Sequence, residues 1–170
     1  MSVRVRGLTL EEATEEQAAV LRKLPPGGLS PFLAHAPALA EAAINTGMLL
    51  FDEEATGISD EMREALIIRI AHLCGGNYVE QQHKRLGQAF GMAPEQLQAA
   101  SDGSSSKDLP VEWRAAFELV ELGLRGTSVP EAVVSAVVGQ YGERGLTGIA
   151  IVAGTAVQLS LLASWTGISA

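Results

Sequence analysis

The sequence contains a single cysteine, Cys74, among its 170 residues. One thiol cannot form an internal disulfide, so a disulfide-stapled extracellular scaffold is excluded and a reducing compartment is expected. The N-terminal stretch MSVRVRGLTLEEATEEQ also lacks the apolar run of a secretory signal. We therefore expect a cytoplasmic protein.

Positive charge is also scarce. Twelve Lys and Arg residues stand against 20 Asp and Glu residues, which gives a formal net charge of −8 and a pI near 4.8. Binding to nucleic acid needs a basic face that pairs with phosphates, so no nucleic-acid partner is expected. The hydrophobic fraction of 47% is enough to fill the core of one globular domain, which we expect to span residues 1–170.

Charge is absent altogether between Leu146 and Ala170. A segment of this length and composition could span a bilayer. However, no Lys or Arg follows it as an anchor, and polar residues are spread along it. These polar residues are Thr147, Thr155, Gln158, Ser160, Ser164 and Thr166. We expect a helix that is buried within the protein or between subunits, and no membrane partner.

No stretch is typical of a β-strand, whereas helical patterns recur along the whole chain. The sequence therefore predicts an all-α fold of about seven or eight helices. Residues 1–29 form an N-terminal extension and a first helix, residues 59–90 a helical hairpin, and residues 110–170 the C-terminal helices. The stretch SDGSSSKD at 101–108 is predicted to be a flexible linker.

The ends of the hairpin helices are marked by local signals. Ser59 is predicted to cap the first helix, and the Gly75–Gly76 pair is predicted to end it. Asn77 and Glu80 are predicted to form a capping pair for the second helix.

The first hairpin helix, DEMREALIIRIAHLC at 60–74, is apolar on nearly all sides, which predicts a central helix. Glu64 lies on the same side of this helix as Ile68, so its carboxylate is expected to point inward. In the second helix, His83 shares one face with Val79 and Phe90 and is expected to point inward as well.

Because two helices joined by a short turn commonly pack antiparallel, Glu64 and His83 are expected to meet. Two interpretations of such a pair remain open. In an apolar pocket, a Glu–His pair can transfer protons near neutral pH and would be an acid–base site. Alternatively, it is a structural hydrogen bond that only satisfies two buried groups.

The stretch REALIIRIAHLCGGNYVEQQH at 63–83 resembles the signature of the carboxymuconolactone decarboxylase and alkyl hydroperoxidase D-like superfamily. That signature has an Arg-Glu pair opening an apolar helix, a polar turn with an aromatic residue, and a histidine in the next helix. The resemblance extends over residues 25–170.

This resemblance implies a compact all-α domain of the alkyl hydroperoxidase D-like type. It implies catalytic roles for Glu64 and His83 and a substrate-binding role for Tyr78. It also implies a small-molecule substrate, no cofactor, and a homo-oligomer that is a trimer or a hexamer.

The chain departs from the peroxidase branch of this superfamily, in which a CxxC pair precedes the histidine. The matching positions hold Gly76 and Val79. Cys74 is displaced by two residues and has no thiol partner, so a dithiol cycle is not available. The pattern is similar to the decarboxylase branch, which implies decarboxylation or related lyase chemistry on a small carboxylated lactone or aromatic-catabolism intermediate. Two alternatives are a peroxidase-like protein with Cys74 as a lone thiol and a non-catalytic helical oligomer.

Other polar residues near this stretch carry weaker signals. His72 and Cys74 are two positions apart on a helix and do not share a face. Together with His83 they do not match the spacing of tetrahedral metal sites, so no metal is expected. Arg63 and Arg69 are expected to be solvated or interfacial charges, or else to hold a carboxylate of the substrate.

Overall fold

A computed structural model describes residues 4–169 of the chain. Residues 1–3 of the predicted N-terminal extension and Ala170 of the predicted uncharged segment lie outside the described residues. Within 4–169 there are nine α-helices, one 3₁₀ helix and no strand. Seven of the nine α-helices have seven or more residues, so the prediction of an all-α fold with about seven or eight helices is confirmed.

The helices follow one another in chain order with short connections. They are α1 (Glu15–Lys23), α2 (Ser30–Leu33), α3 (Pro37–Leu50), α4 (Glu53–Thr56), α5 (Asp60–Leu73), α6 (Asn77–Ala89), α7 (Pro94–Asp102), the 3₁₀ helix (Val111–Trp113), α8 (Arg114–Leu124) and α9 (Glu131–Thr166).

Helix α5 lies at the centre of the fold, as its apolar sequence predicts. All ten residues from Met62 to Ala71 are buried, and the helix packs against α6, α7, α8 and α9. The side chain of Ser59 accepts a hydrogen bond from the amide of Met62 and caps the helix N-terminus. Gly75 has a φ of +66° directly after the C-cap, so the predicted start and end of this helix are both confirmed.

The turn between α5 and α6 lies directly against α9. A Cβ atom at Gly76 would lie 2.5 Å from the Oγ of Ser160, so only glycine fits at this position without a shift. Gly76 is also the N-cap of α6, and no side chain caps that helix. The predicted Asn77–Glu80 capping pair is therefore wrong, because the Glu80 carboxylate accepts hydrogen bonds from elsewhere in the fold.

Helix α9 is interrupted at Gly142, whose φ of 70° and ψ of 180° are not helical. Its C-terminal part packs one side on the core through residues such as Val152 and Ala156, while Ile151 and Trp165 on the other side are exposed. The uncharged segment is thus only partly buried within the protomer. By length and composition alone, α9 could cross a membrane, with a mean hydropathy of 1.8 over an 18-residue window that is 33% buried. A core helix of a soluble protein meets the same criterion.

The stretch 101–108 includes the end of α7, which continues to Asp102. After it, the amide and hydroxyl of Ser104 donate hydrogen bonds of 2.9 and 2.8 Å to the carboxylate of Glu121 on α8. Arg114 donates to the carbonyl of Ser104. The predicted linker is therefore attached to α8 by hydrogen bonds, and its flexibility stays a prediction.

Candidate functional site

Glu64 of α5 and His83 of α6 meet across the hairpin. The Nδ1 atom of His83 lies 2.6 Å from Oε2 of Glu64. Glu64 is fully buried, and the side chain of His83 is 16% exposed. Because an ionised carboxylate can only accept a hydrogen bond, Nδ1 of His83 is assigned as the donor in this contact, and in a neutral imidazole the lone pair is then on Nε2. Among residues 4–169, Nε2 of His83 has no hydrogen-bond partner.

Arg63 fixes the other oxygen of the Glu64 carboxylate. Its Nε donates a 2.9 Å hydrogen bond to Oε1 of Glu64, and its Nη2 lies 2.8 Å from the same oxygen without hydrogen-bond geometry. The Nη1 atom donates to the carbonyl of Leu50 at 3.1 Å and to the carboxylate of Asp60. Glu64 is therefore held in one orientation, with its charge balanced by a buried cation.

Two aromatic rings enclose the Arg63 guanidinium. Its central carbon lies 4.3 Å from the ring centroid of Phe51 and 5.2 Å from that of Phe90, distances at which a cation is attracted to a ring face. Arg63 is only 1% exposed. The prediction that this residue is a solvated charge is wrong, since its cationic group is enclosed and paired within the protein.

Arg69 belongs to a different buried cluster on the side of α5 that faces α7 and α8. Its Nε lies 2.8 Å from Oε1 of Glu121, and its Nη1 donates to the carbonyl of Ser101. Like Arg63, it is buried and does not line the cavity beside His83. The expectation that Arg63 or Arg69 holds a substrate carboxylate does not fit these positions, because both already pair with carboxylates of the protein.

His83 faces a cavity of about 740 Å³ between α3, the segment 24–29, the start of α6 and α9. Tyr78 and Gln82 of α6 also line this cavity, together with Thr155 and Gln158 of α9. The remaining lining is mostly apolar. A volume of this size is typical of small-molecule sites.

Tyr78 lies where the segment 24–29 closes over the cavity. Gly28 has a φ of +58°, and a Cβ atom there would lie 2.6 Å from the Tyr78 hydroxyl oxygen. The glycine therefore allows the backbone to approach the phenol closely. The structure places Tyr78 in the cavity wall, where sequence reasoning predicted a substrate-binding residue, although its role stays a prediction.

Cys74 is the C-cap of α5 and is partly buried, and it does not line the cavity. Burial raises the pKa of the Cys74 thiol above its usual range, which lowers the fraction of reactive thiolate. The positions that carry thiols in the peroxidase branch hold Gly76, in contact with Ser160, and the buried Val79. No thiol of the described residues therefore lines the cavity beside His83.

A second polar cluster in the same hairpin was missed by sequence reasoning. The Glu80 carboxylate accepts hydrogen bonds from Lys84 at 2.7 Å and Ser101 at 2.9 Å, and lies 3.2 Å from Nδ1 of His72. Burial acts to raise the pKa of Glu80, but the hydrogen bonds from Lys84, Ser101 and His72 and the charge of Lys84 outweigh it and lower the pKa. The spacing of Glu80 and Lys84 was the one available sequence signal, since residues four apart are neighbours on a helix.

Within residues 4–169, no group of three or more His, Cys, Asp or Glu side chains is arranged to hold a metal ion. In particular, His72 pairs with Glu80 and His83 with Glu64, so the two histidines do not share a ligand set.

Comparison with known proteins gives structural neighbours only. No protein-family model matches the sequence, and no curated protein matches it significantly. The chain is similar to the apo structure of the debrominase Bmp8, with a TM-score of 0.78 and 16% identity over 99% of this chain and 92% of that one. A complex of a cysteine-to-alanine variant of Bmp8 with 2,3,4-tribromopyrrole has a TM-score of 0.76 at the same identity and coverage. At this identity the likeness shows the fold alone, and the predicted all-α fold is confirmed.

Proposed function

We propose that this chain is an enzyme of the carboxymuconolactone decarboxylase and alkyl hydroperoxidase D-like superfamily that performs acid–base chemistry on a small molecule. The observation that carries the proposal is the 2.6 Å contact between Glu64 and His83, with the imidazole in the wall of a cavity. The structural neighbour Bmp8 is a debrominase, and an enzyme with the same fold supports an enzymatic role here.

In the proposed mechanism, Nε2 of His83 accepts a proton from the bound molecule, while Nδ1 keeps its own proton and donates it in the hydrogen bond to Glu64. The resulting imidazolium is stabilised by the Glu64 carboxylate, which Arg63 holds in place. The same Nε2–H then returns a proton to carbon. Return of a proton is also the step that follows loss of carbon dioxide, so decarboxylation and related lyase reactions both fall within this chemistry. A carboxylated lactone or another aromatic-catabolism intermediate is the substrate class favoured by the sequence resemblance.

Two alternatives have less support. A lone-thiol peroxidase needs a reactive thiolate near the acid–base pair, whereas Cys74 lies outside the cavity and burial raises its pKa. In a purely structural Glu–His pair, the second ring nitrogen has no reason to face a cavity, whereas His83 lines one. The position of His83 in the cavity wall therefore favours catalysis. We further propose a cytoplasmic homo-oligomer, a trimer or a hexamer, with no membrane or nucleic-acid partner.

The test uses two lactone probes with purified protein. Release of carbon dioxide from γ-carboxymuconolactone measures decarboxylation. Migration of the double bond in α-angelica lactone, a neutral enol lactone, measures removal and return of one proton. On whichever probe the wild type turns over, we expect His83→Ala to lower the rate by on the order of 10²-fold. Gln88→Ala, on the exposed side of the same helix, should leave the rate unchanged. Equal rates for wild type and His83→Ala on both probes would contradict the proposal.

A further inference from the structure

We infer that the cavity beside His83 selects an uncharged, mainly apolar ring compound and excludes the carboxylated lactones that the sequence resemblance favours. The inference rests on the proposed function in one respect, namely that the reacting group of the ligand meets Nε2 of His83. Its other support is the set of charged, polar and apolar side chains that line the cavity.

The walls of the cavity are apolar on three sides. Leu24 and Leu29 lie in the segment that closes over it, Ile44 and Met48 on α3, and Leu159 on α9. The ring of Phe51 completes this surface. A flat hydrocarbon ring is stabilised by such walls, because it leaves water for a surface that offers dispersion contacts and few competing polar groups.

The cationic groups near the cavity are already engaged. Lys23 is the only lysine or arginine in the lining, and its ammonium group pairs with Glu41 at a largely exposed position. The Arg63 guanidinium lies behind the ring of Phe51 and pairs with Glu64 and Asp60. A carboxylate that entered the cavity would therefore lose part of its hydration, and among the described lining residues it would meet no unpaired cationic partner other than a protonated His83.

The polar side chains in the lining are suited to a neutral ligand. Tyr78, Gln82 and Thr155 carry hydroxyl and amide groups that donate to or accept from a hydroxyl or a carbonyl. His83 with a free lone pair on Nε2 accepts a hydrogen bond from a ligand hydroxyl. A compound with one ring, a hydroxyl and a carbonyl satisfies these groups without burying a charge.

The substrate of the proposed reaction is accordingly uncharged, and the reaction is proton transfer or elimination rather than loss of a carboxylate. The chain thus has the acid–base pair that the resemblance implies, whereas the described residues that line the cavity offer a substrate carboxylate no unpaired Lys or Arg.

The experiment compares two ligands with the same phenol ring, the uncharged methyl 4-hydroxybenzoate and the anionic 4-hydroxybenzoate, by isothermal titration with the full chain at pH 7. We expect the ester to bind at least ten times more tightly, a difference of about 1.4 kcal/mol. Gln158→Arg, which adds a cation at an exposed position of the cavity wall, should reverse or remove this preference. Ile44→Trp should weaken ester binding by filling the cavity, whereas Asn45→Trp, which adds the same side chain at an exposed position of the same helix outside the cavity, should not.

Equal binding of the two ligands, tighter binding of the carboxylate, or an ester dissociation constant above about 1 mM would overturn the inference. Preference for the ester combined with no turnover of either lactone probe would support the inferred ligand class and contradict the proposed function. Turnover of γ-carboxymuconolactone with no preference for the ester would support the proposed function and overturn the inferred ligand class. The two failures are therefore distinguishable.

Discussion

The imidazole of His83 and the carboxylate of Glu64 form a 2.6 Å hydrogen bond although the residues are 19 positions apart in the chain. The contact arises because α5 and α6 are antiparallel arms of one hairpin, each with an inward-facing polar residue. Arg63 then holds the second carboxylate oxygen, so the pair has one defined geometry. Such a pair is expected to act as a unit.

The first prediction concerns that unit. We expect Glu64→Gln and His83→Ala each to lower kcat on the lactone probe that the wild type turns over by on the order of 10²-fold, because His83→Ala removes the base and Glu64→Gln removes the carboxylate that orients it. The double variant should lose little more than one single variant does, since both act in the same step. Steady-state kinetics on the three variants measure this.

A stability measurement on the same variants separates the structural alternative. A purely structural pair predicts that each change lowers the free energy of unfolding by roughly 1–3 kcal/mol, through an unsatisfied buried partner, without loss of turnover. Additive losses in kcat would also contradict the acid–base interpretation. Urea unfolding followed by circular dichroism gives the stabilities.

Much of this arrangement is predictable from local sequence. The all-round apolar pattern of α5 predicts its central position, and the spacing within each helix predicts that Glu64 and His83 approach each other. Their distance agrees with that expectation. The contacts of Glu80 with Ser101 and of Glu121 with Arg69 were not predictable in the same way, because the two residues of each contact come from distant parts of the chain. Such contacts depend on tertiary packing, and the local spacing of residues in the sequence does not indicate them.

The cavity could not be predicted from the sequence either. Its walls combine an irregular segment at 24–29 with faces of α3 and α9, and the positions of these pieces depend on how α9 packs against the hairpin. The environment of Arg63 shows the same limit. Its sequence neighbours are charged and suggest solvent, whereas packing between Phe51 and Phe90 buries it.

The second prediction concerns Cys74. Because its pKa is raised by burial and it lies outside the cavity, we expect Cys74→Ser to leave turnover of the lactone probe and the melting temperature nearly unchanged. The wild-type thiol should react with iodoacetamide at pH 7 more slowly than free cysteine does. Thiol-dependent turnover of a hydroperoxide that disappears in Cys74→Ser would instead favour the peroxidase alternative.

The third prediction is a pH dependence of stability that arises from Glu80. Its pKa is lowered in the folded state from 4.5, so its stabilising contribution is present above that pH and is lost as the pH falls through the folded-state value. We expect Glu80→Gln to destabilise the protein near pH 6 and to approach the wild type as the pH falls toward 3. The exposed Glu118→Gln on α8 is the control and should differ little from the wild type across this range. A constant difference between Glu80→Gln and wild type would contradict the assignment.

The fourth prediction concerns assembly. Leu39 on α3 and Ile151, Leu161 and Trp165 on α9 are large apolar side chains that the protomer leaves exposed. Their burial between copies would remove apolar surface from water, so we expect a stable homo-oligomer at micromolar concentration. Light scattering should give a mass several times 17.8 kDa.

A pair of matched variants locates that interface. Trp165→Glu should weaken the assembly, whereas Val111→Glu, a change at an even more exposed apolar residue of the 3₁₀ helix, should not. A wild-type mass near that of one chain would show that the apolar side of α9 is not an interface between copies.

The fifth prediction tests why the hairpin turn has no room for the first thiol of a CxxC pair. A Cβ atom at Gly76 would lie 2.5 Å from Oγ and 3.1 Å from Cα of Ser160, so backbone atoms of α9 must move to admit any side chain. We expect Gly76→Ala to lower the free energy of unfolding by roughly 1–3 kcal/mol through overpacking. Gly154→Ala, in α9 with open space around it, should be neutral or stabilising, because alanine favours a helix over glycine by about 1 kcal/mol.

Combination with Ser160→Gly should recover part of the stability lost in Gly76→Ala, since it removes the Oγ and Cβ atoms that the new methyl group meets. If instead Gly76→Ala is as stable as Gly154→Ala, the turn has room for a side chain. The absence of a thiol at this position would then not be a consequence of packing against α9. Thermal and urea unfolding of the four proteins measure these differences directly.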